Sequence, residues 1–271
     1  MNVVFWSLLP GQSAVSANAL AVAMSTAIDH KVKCSLLQLQ YENNGLFNYL
    51  FPPSDKKEIA MFENTGIDAL IRSTSGSPAT QERVEDCSFS FVQRRLNIFT
   101  PSTLVAESVY SEALLQSSRN LFESLNLSFK LNFVDVPGGM NKYSKVGIDN
   151  ADVLVVCLPQ SEWVVAKFFE TVELPEEKKV LYLFGDYDKT KRFNTMKFAM
   201  KYRKKVKLTD VLTIPHCIEY ADAMNESTCI NFYMRNVESK KDDVNRSFVD
   251  GCKDASSKIL RVCGYSKSLE G

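Results

Sequence analysis

The sequence predicts an α/β domain, a doubly wound and mostly parallel sheet flanked by helices. Three observations predict it. Strand-like segments alternate with segments of helical periodicity along the whole chain. Several of the strands, such as 152–158, are almost wholly apolar, as a sheet covered by helices on both faces requires. The first strand, 3–6, runs into a small-residue loop, 10–17, that opens directly into a helix.

The elements follow in order. The helix after the first loop carries Leu20, Ala21, Met24 and Ile28 at helical spacing. A second, mostly apolar strand spans 33–40 and ends in a polar, turn-forming run, 38–45. Residues 46–51 read as a short helix stopped by Pro52-Pro53. Residues 67–72 belong to another helix, and 73–80 is a loop of Ser, Thr, Gly and Pro. A short strand at 96–100 precedes Pro101, and a longer helix at 106–125 carries Val109, Ala113, Leu114, Leu121, Phe122 and Leu125. Strand 129–134 runs into Asp135-Val-Pro-Gly-Gly139. Strand 152–158, helix 164–172, strand 179–184, helix 193–202 and strand 211–214 come next, the last ending at Pro215. Two helical stretches, 220–236 and 244–262, close the pattern. No repeat or linker divides the chain, which reads as a single domain at 1–265 with a flexible tail at 266–271.

Composition narrows the function. With 45% hydrophobic residues among 271, the chain can bury a sizeable core. Its 32 basic and 32 acidic side chains cancel, which argues against nucleic acid held by bulk charge. A local basic cluster, Lys197, Lys201, Arg203, Lys204, Lys205 and Lys207, reads more simply as a solvated helix end. Trp163, Phe168 and Phe169 read as core before they read as a partner surface. No apolar run is long enough to span a bilayer, and no signal-type segment precedes the first strand. The expected setting is therefore cytoplasmic, with any membrane association indirect. Seven scattered cysteines without a C-x-x-C pair fit a reducing compartment, and two distant histidines argue against zinc.

The first loop has the strand–loop–helix form of a phosphate cradle, in which backbone N–H groups and a helix N-terminus face an anion. No lysine accompanies it between Met1 and His30. Further motifs fall in a definite order: Pro10-Gly-Gln-Ser-Ala-Val-Ser-Ala17 followed by Asn18, then Leu37-Gln-Leu-Gln40, Asp135-Val-Pro-Gly-Gly139, Ala151-Asp152, Pro159-Gln-Ser161 and Ile214-Pro215. In that order they resemble the ParA/MinD branch of P-loop ATPases, and within it the pilus-associated TadZ/CpaE-like proteins. The family loop reads K-G-G-x-G-K-[ST]-[ST], its second strand ends D-x-D, and its switch segment reads D-x-P-x-G. The resemblance covers residues 2–236.

On this resemblance Gly11, Gln12, Ser13, Ala14, Val15, Ser16 and Ala17, with Gln38, Gln40, Asp135, Gly139 and Pro215, occupy the positions of a nucleotide or anion site. Ser16 and Asp135 occupy those of the metal ligands. The departures carry more information. Val15 and Pro10 replace lysines, Gln38 and Gln40 replace carboxylates, and Ala14 replaces a glycine. Glutamine can neither accept a proton nor supply negative charge. Each lost lysine removes charge-assisted hydrogen bonds worth about 1.5–3 kcal/mol. The resemblance therefore implies a vestigial site with a degenerate Walker A loop, no catalytic residues, and either no cofactor or weakly held ATP and Mg²⁺. It implies a localisation or assembly factor for a pilus or secretion-type envelope machine. Such a factor would act through protein partners, as a homodimer or a monomer, and be recruited by them to the inner face of the membrane. The alternatives are an ATP-dependent dimer switch with an unusual loop, and a DNA-associated partition-type protein.

Overall fold

The computed structural model describes residues 1–41, 45–55, 64–104, 106–175, 177–240, 243 and 245–265. Eight strands form one sheet: β1 (Asn2–Trp6), β2 (Cys34–Gln38), β3 (Phe89–Phe91), β4 (Leu96–Ile98), β5 (Leu131–Asp135), β6 (Val153–Leu158), β7 (Lys179–Tyr187) and β8 (Val211–Pro215). Their order is β3-β4-β2-β5-β1-β6-β7-β8. Every pairing is parallel except β3 with β4. The expected doubly wound, mostly parallel sheet is the observed one.

Alternation along β1 shows how the strands divide the core. Val3 and Phe5 join one apolar layer, Val4 and Trp6 the other, and none of the four is exposed. The first layer lies under α1 (Val15–Ile28), α2 (Gly45–Asn48) and the last three helices. The second lies under α3 (Gly66–Ser73), α4 (Gln81–Asp86), α5 (Glu107–Ser128), α6 (Lys142–Asp149), α7 (Glu162–Thr171) and α8 (Thr195–Lys201). The last three are α9 (Ile218–Asn225), α10 (Cys229–Asn236) and α11 (Arg246–Val262). Strand β1 sits where the order reverses, between β5 and β6, so a crevice opens beyond its carboxyl end.

Helix α1 departs from the amphipathic reading. Every residue from Ala17 to Ala27 is buried, because α10 and α11 close over the face the sheet leaves free. Its polar residues are satisfied internally: Thr26 Oγ1 donates to the Val22 carbonyl and Ser25 Oγ to Asp29. The stretch 220–236 is two helices rather than one, broken at Ser227, whose φ is +59°. Among the described residues, α4, β3, α6 and a short 3-10 helix, Leu208–Asp210, have no counterpart in the sequence reading. The helix expected at 46–51 begins at Gly45 and ends at Asn48. Val109 of α5 is 54% exposed. The tail at 266–271 lies outside the described residues.

Glycine at 251 lets α11 lie against β8. A Cβ there would overlap Cδ of Pro215, a ring carbon with no freedom to swing away. Gly251→Ala should destabilise the fold by about 1–3 kcal/mol through overpacking. Each kcal/mol should appear in a thermal melt as a fall of about 2–4 °C; an unchanged melt would show that this contact does not hold α11.

Candidate functional site

The loop between β1 and α1 keeps the backbone of an anion cradle. Gly11 has φ +72° and Ala14, the N-cap of α1, sits in the left-handed region at φ 47°, ψ 40°. Asn18 Nδ2 donates to the Ser13 carbonyl at 3.0 Å and holds the curve. The first-turn N–H groups of α1 have no carbonyl four residues back within the helix, so they point toward the crevice mouth. A left-handed alanine costs about 1–2 kcal/mol. The cradle shape is therefore kept against a local penalty.

Side chains below the loop form a buried polar cluster. Asp135 ends β5 and is 2% exposed. Ser16 Oγ donates to Asp135 Oδ2 at 2.5 Å, and Gln38 Nε2 donates to the same oxygen at 2.8 Å. The register explains the meeting, since Gln38 and Asp135 are directly paired across β2 and β5. Burial pushes the Asp135 carboxyl up to about 7, and the bonds from Ser16 and Gln38 only partly counter it. Among the described residues no cation offsets that burial. The oxygen of the Gln38 amide, Oε1, is buried without a hydrogen-bond partner among the described residues.

A cleft of about 440 Å³ lies beside the loop. Gly11, Gln12, Ser13, Ala14, Ala17 and Pro215 line it, as six of the residues singled out from sequence. Ser16, Gln38 and Asp135 meet beneath it instead. Val15, at the lysine position, is partly buried and packs on the α1 layer of the core. Gln40 lies beyond the end of β2, separate from the cluster. Gly139 serves the scaffold: its carbonyl accepts from Trp6 Nε1 at 2.9 Å and its N–H donates to the Ser7 carbonyl at 2.9 Å.

Of the far wall, sequence reasoning found Pro215 and missed Asp186, Lys191 and His216. A register shift in β7 puts Asp186 at φ +51°, and its carboxylate meets His216 Nδ1 at 2.5 Å. Lys191 lines the same wall and is the one ammonium among the described lining residues. Nothing in the sequence pairs residues thirty apart on adjacent strands. His216 and Cys217 point apart: Cys217 Sγ is buried against Asn245 Oδ1 at 3.3 Å. No cluster of three or more His, Cys, Asp or Glu side chains that could hold a metal occurs among the described residues.

The magnesium nucleotide that the resemblance implies would meet a divided setting here. The loop backbone fits a phosphate, but the charges do not fit the pair. Ser16 and Asp135, the two expected metal ligands, are closed on each other, and a buried carboxylate without a counter-charge faces the cradle. No step of phosphate chemistry follows from this arrangement.

No family model and no curated protein matches the sequence. Solved structures do match the fold. A ParA family ATPase from Chlorobium tepidum TLS superposes with a TM-score of 0.65 at 9% identity, over 94% of this chain and 98% of its own. The septum site-determining protein MinD from Pyrococcus horikoshii OT3, complexed with Mg-ADP, gives 0.63 at 11% identity, over 98% and 100%. A plasmid partition protein from Borrelia burgdorferi B31 bound to AMPPNP gives 0.59 at 13%, over 96% and 97%. The fold is that of the ParA/MinD-type P-loop ATPases.

Two outcomes test the site's physics. Ala14→Gly should stabilise the protein by up to about 1 kcal/mol, because glycine adopts the left-handed cap without strain; a destabilised variant would show that the cap is not strained. The second concerns pH. Asp135 binds its proton more tightly folded than unfolded, so stability is greatest at low pH within this window and is lost as pH rises from about 4 through about 7. Asp135→Asn removes that loss. Denaturant unfolding should show the variant gaining on the parent between pH 5 and pH 8, by no more than about 4 kcal/mol; parallel curves would place the carboxylate in a solvated or counter-charged setting.

Proposed function

We propose that this chain is a catalytically degenerate ParA/MinD-like protein that acts as a localisation or assembly factor through protein contacts. The observation that carries the reading is the buried Asp135, satisfied by two neutral donors where nucleotide chemistry needs a metal and lysines. Burial pushes its carboxyl up to about 7, so a metal entering here would have to displace the Ser16 and Gln38 hydrogen bonds and compete with a proton. The TadZ/CpaE-like resemblance adds the finer reading, a factor that positions a pilus or secretion-type machine at the envelope. On that reading its partners are envelope-associated proteins, and any dimer rests on direct contacts rather than on a bridging nucleotide.

One observation favours the second reading, an ATP-dependent dimer switch. The cradle backbone is intact and Lys191 lines the same cleft, so weakly held ATP has both a nest and a cation. The two readings part in one experiment. The mass by light scattering, with and without ATP and Mg²⁺, should be the same, and turnover should stay at background. Asp135→Asn should leave localisation and assembly in the host intact. Mg²⁺-dependent turnover abolished by Asp135→Ala and Ser16→Ala would overturn the scaffold reading.

A further inference from the structure

The 32 acids and 32 bases balance over the chain but not over its surface. Between Lys189 and Lys207 the connection from β7 to β8 carries nine lysines and arginines and no acid. The rest of the chain is left with 23 basic residues against 32 acidic ones. All nine of these cations are exposed. Acids do border the stretch: Lys201 holds Glu162 at 3.8 Å, Lys191 acts on Asp188 and lines a cleft with Asp186, and Glu173 and Asp210 line another cleft with Lys204 and Lys205.

Helix α8 lies in the middle of this stretch and wears apolar side chains on both faces. Phe198 and Ala199 point inward, where Phe198 packs on Phe184 with ring centroids 5.0 Å apart. Met196 and Met200, one turn apart, point outward and are 54% and 65% exposed. Lys197 and Lys201 flank them, both exposed. Trp163, next in sequence to the Glu162 that Lys201 meets, is 61% exposed on α7. The other rings are committed inward: Phe169 stacks on Tyr202 at 4.1 Å.

We propose that this face docks directly on an anionic lipid bilayer. Seven of the nine cations are lysines, point charges suited to a diffuse layer of headgroups rather than forks that read phosphodiesters in register. Exposed thioethers amid lysines gain nothing on a nucleic-acid backbone. At an interface they bury in the headgroup–acyl boundary while the ammonium groups stay in water. No aromatic platform is free on α8 to stack bases. This binding is direct, where the sequence alone suggests recruitment through partners. It stands apart from the nucleotide loop, because Lys191 is the only member of the stretch that lines the cleft.

The test is co-sedimentation of the full chain with phosphatidylglycerol-rich vesicles, pure phosphatidylcholine vesicles and, separately, duplex DNA. Binding should require the anionic lipid and weaken at least about tenfold between 0.1 M and 0.5 M salt, over which the screening length falls roughly twofold. Lys204→Glu with Lys205→Glu should lose it. Met196→Ser with Met200→Ser keeps every charge and should still weaken it about tenfold. Thermal melts of both variants should match the parent, since all four side chains are solvent-facing. No sedimentation with anionic vesicles would overturn the proposal. So would methionine variants that bind as well as the parent, or DNA binding at the same salt that vesicles do not match.

Discussion

A carboxylate buried without a counter-charge among the described residues constrains the crevice around it. Asp135 ends the strand beside β1, directly opposite Gln38 on β2. An acid at position 38 would set a second negative charge about 3 Å from the first. At an effective dielectric of 20 that repulsion is of order 5–6 kcal/mol. A lysine at position 15 would offset it, and Val15 cannot. Glutamine at 38 follows from valine at 15: the amide keeps the shape and supplies a donor, at 2.8 Å, that a carboxylate lacks. Gln38 and Val15 are thus one electrostatic adjustment, whereas Gln40 lies apart from the cluster and Ala14 concerns only the backbone of the loop. The adjustment leaves one mark, since Gln38 Oε1 is buried without a hydrogen-bond partner among the described residues.

The parallel strands were legible because burial on both faces leaves apolar runs with little alternation, as in β1 and β6. What escaped were elements whose apolar content is low or whose signal is a cap. Helix α6 has Gly147 in its interior, yet Asn141 and Ser144 form a capping box that was there to be read. Strand β3 is three residues long with only part-buried ends, and it exists because it pairs with β4. The break at Ser227 carries no glycine or proline. Its left-handed backbone comes from the turn itself, fastened where Ser227 Oγ donates to the Asn48 carbonyl at 2.7 Å.

The site divided in the same way. The near wall is contiguous in sequence, so the loop from Gly11 to Ala17 and the Asp135 turn could be found as motifs. The far wall depends on a bulge in β7 that rotates Asp186 toward His216. A bulge shifts register by one residue, and a period-two pattern of burial cannot locate it in advance. The basic stretch after β7 was visible as composition, but its two faces were not. Only burial of Phe198 and Ala199 shows that Met196 and Met200 must face solvent.

Persistence of the cradle needs no bound anion to explain it. Trp6 Nε1 on the Gly139 carbonyl ties the loop side of β1 to the turn after β5. Gly138 packs so closely on Pro10 that a Cβ would collide with the backbone there. Tyr220 Oη donates to the Ala17 carbonyl from across α9, and the Asn18 side chain fills the space over Gly185 while its amide closes on Ser13. Each of these contacts fixes one point on the loop from a different element. Together they over-determine a conformation that Ala14 would not choose alone, and the strain at Ala14 is small beside the packing that would be lost by relaxing it. The shape of a phosphate loop is in this chain a property of its packing. Charge, and not backbone geometry, is therefore the feature that separates a working nucleotide site from a retained scaffold.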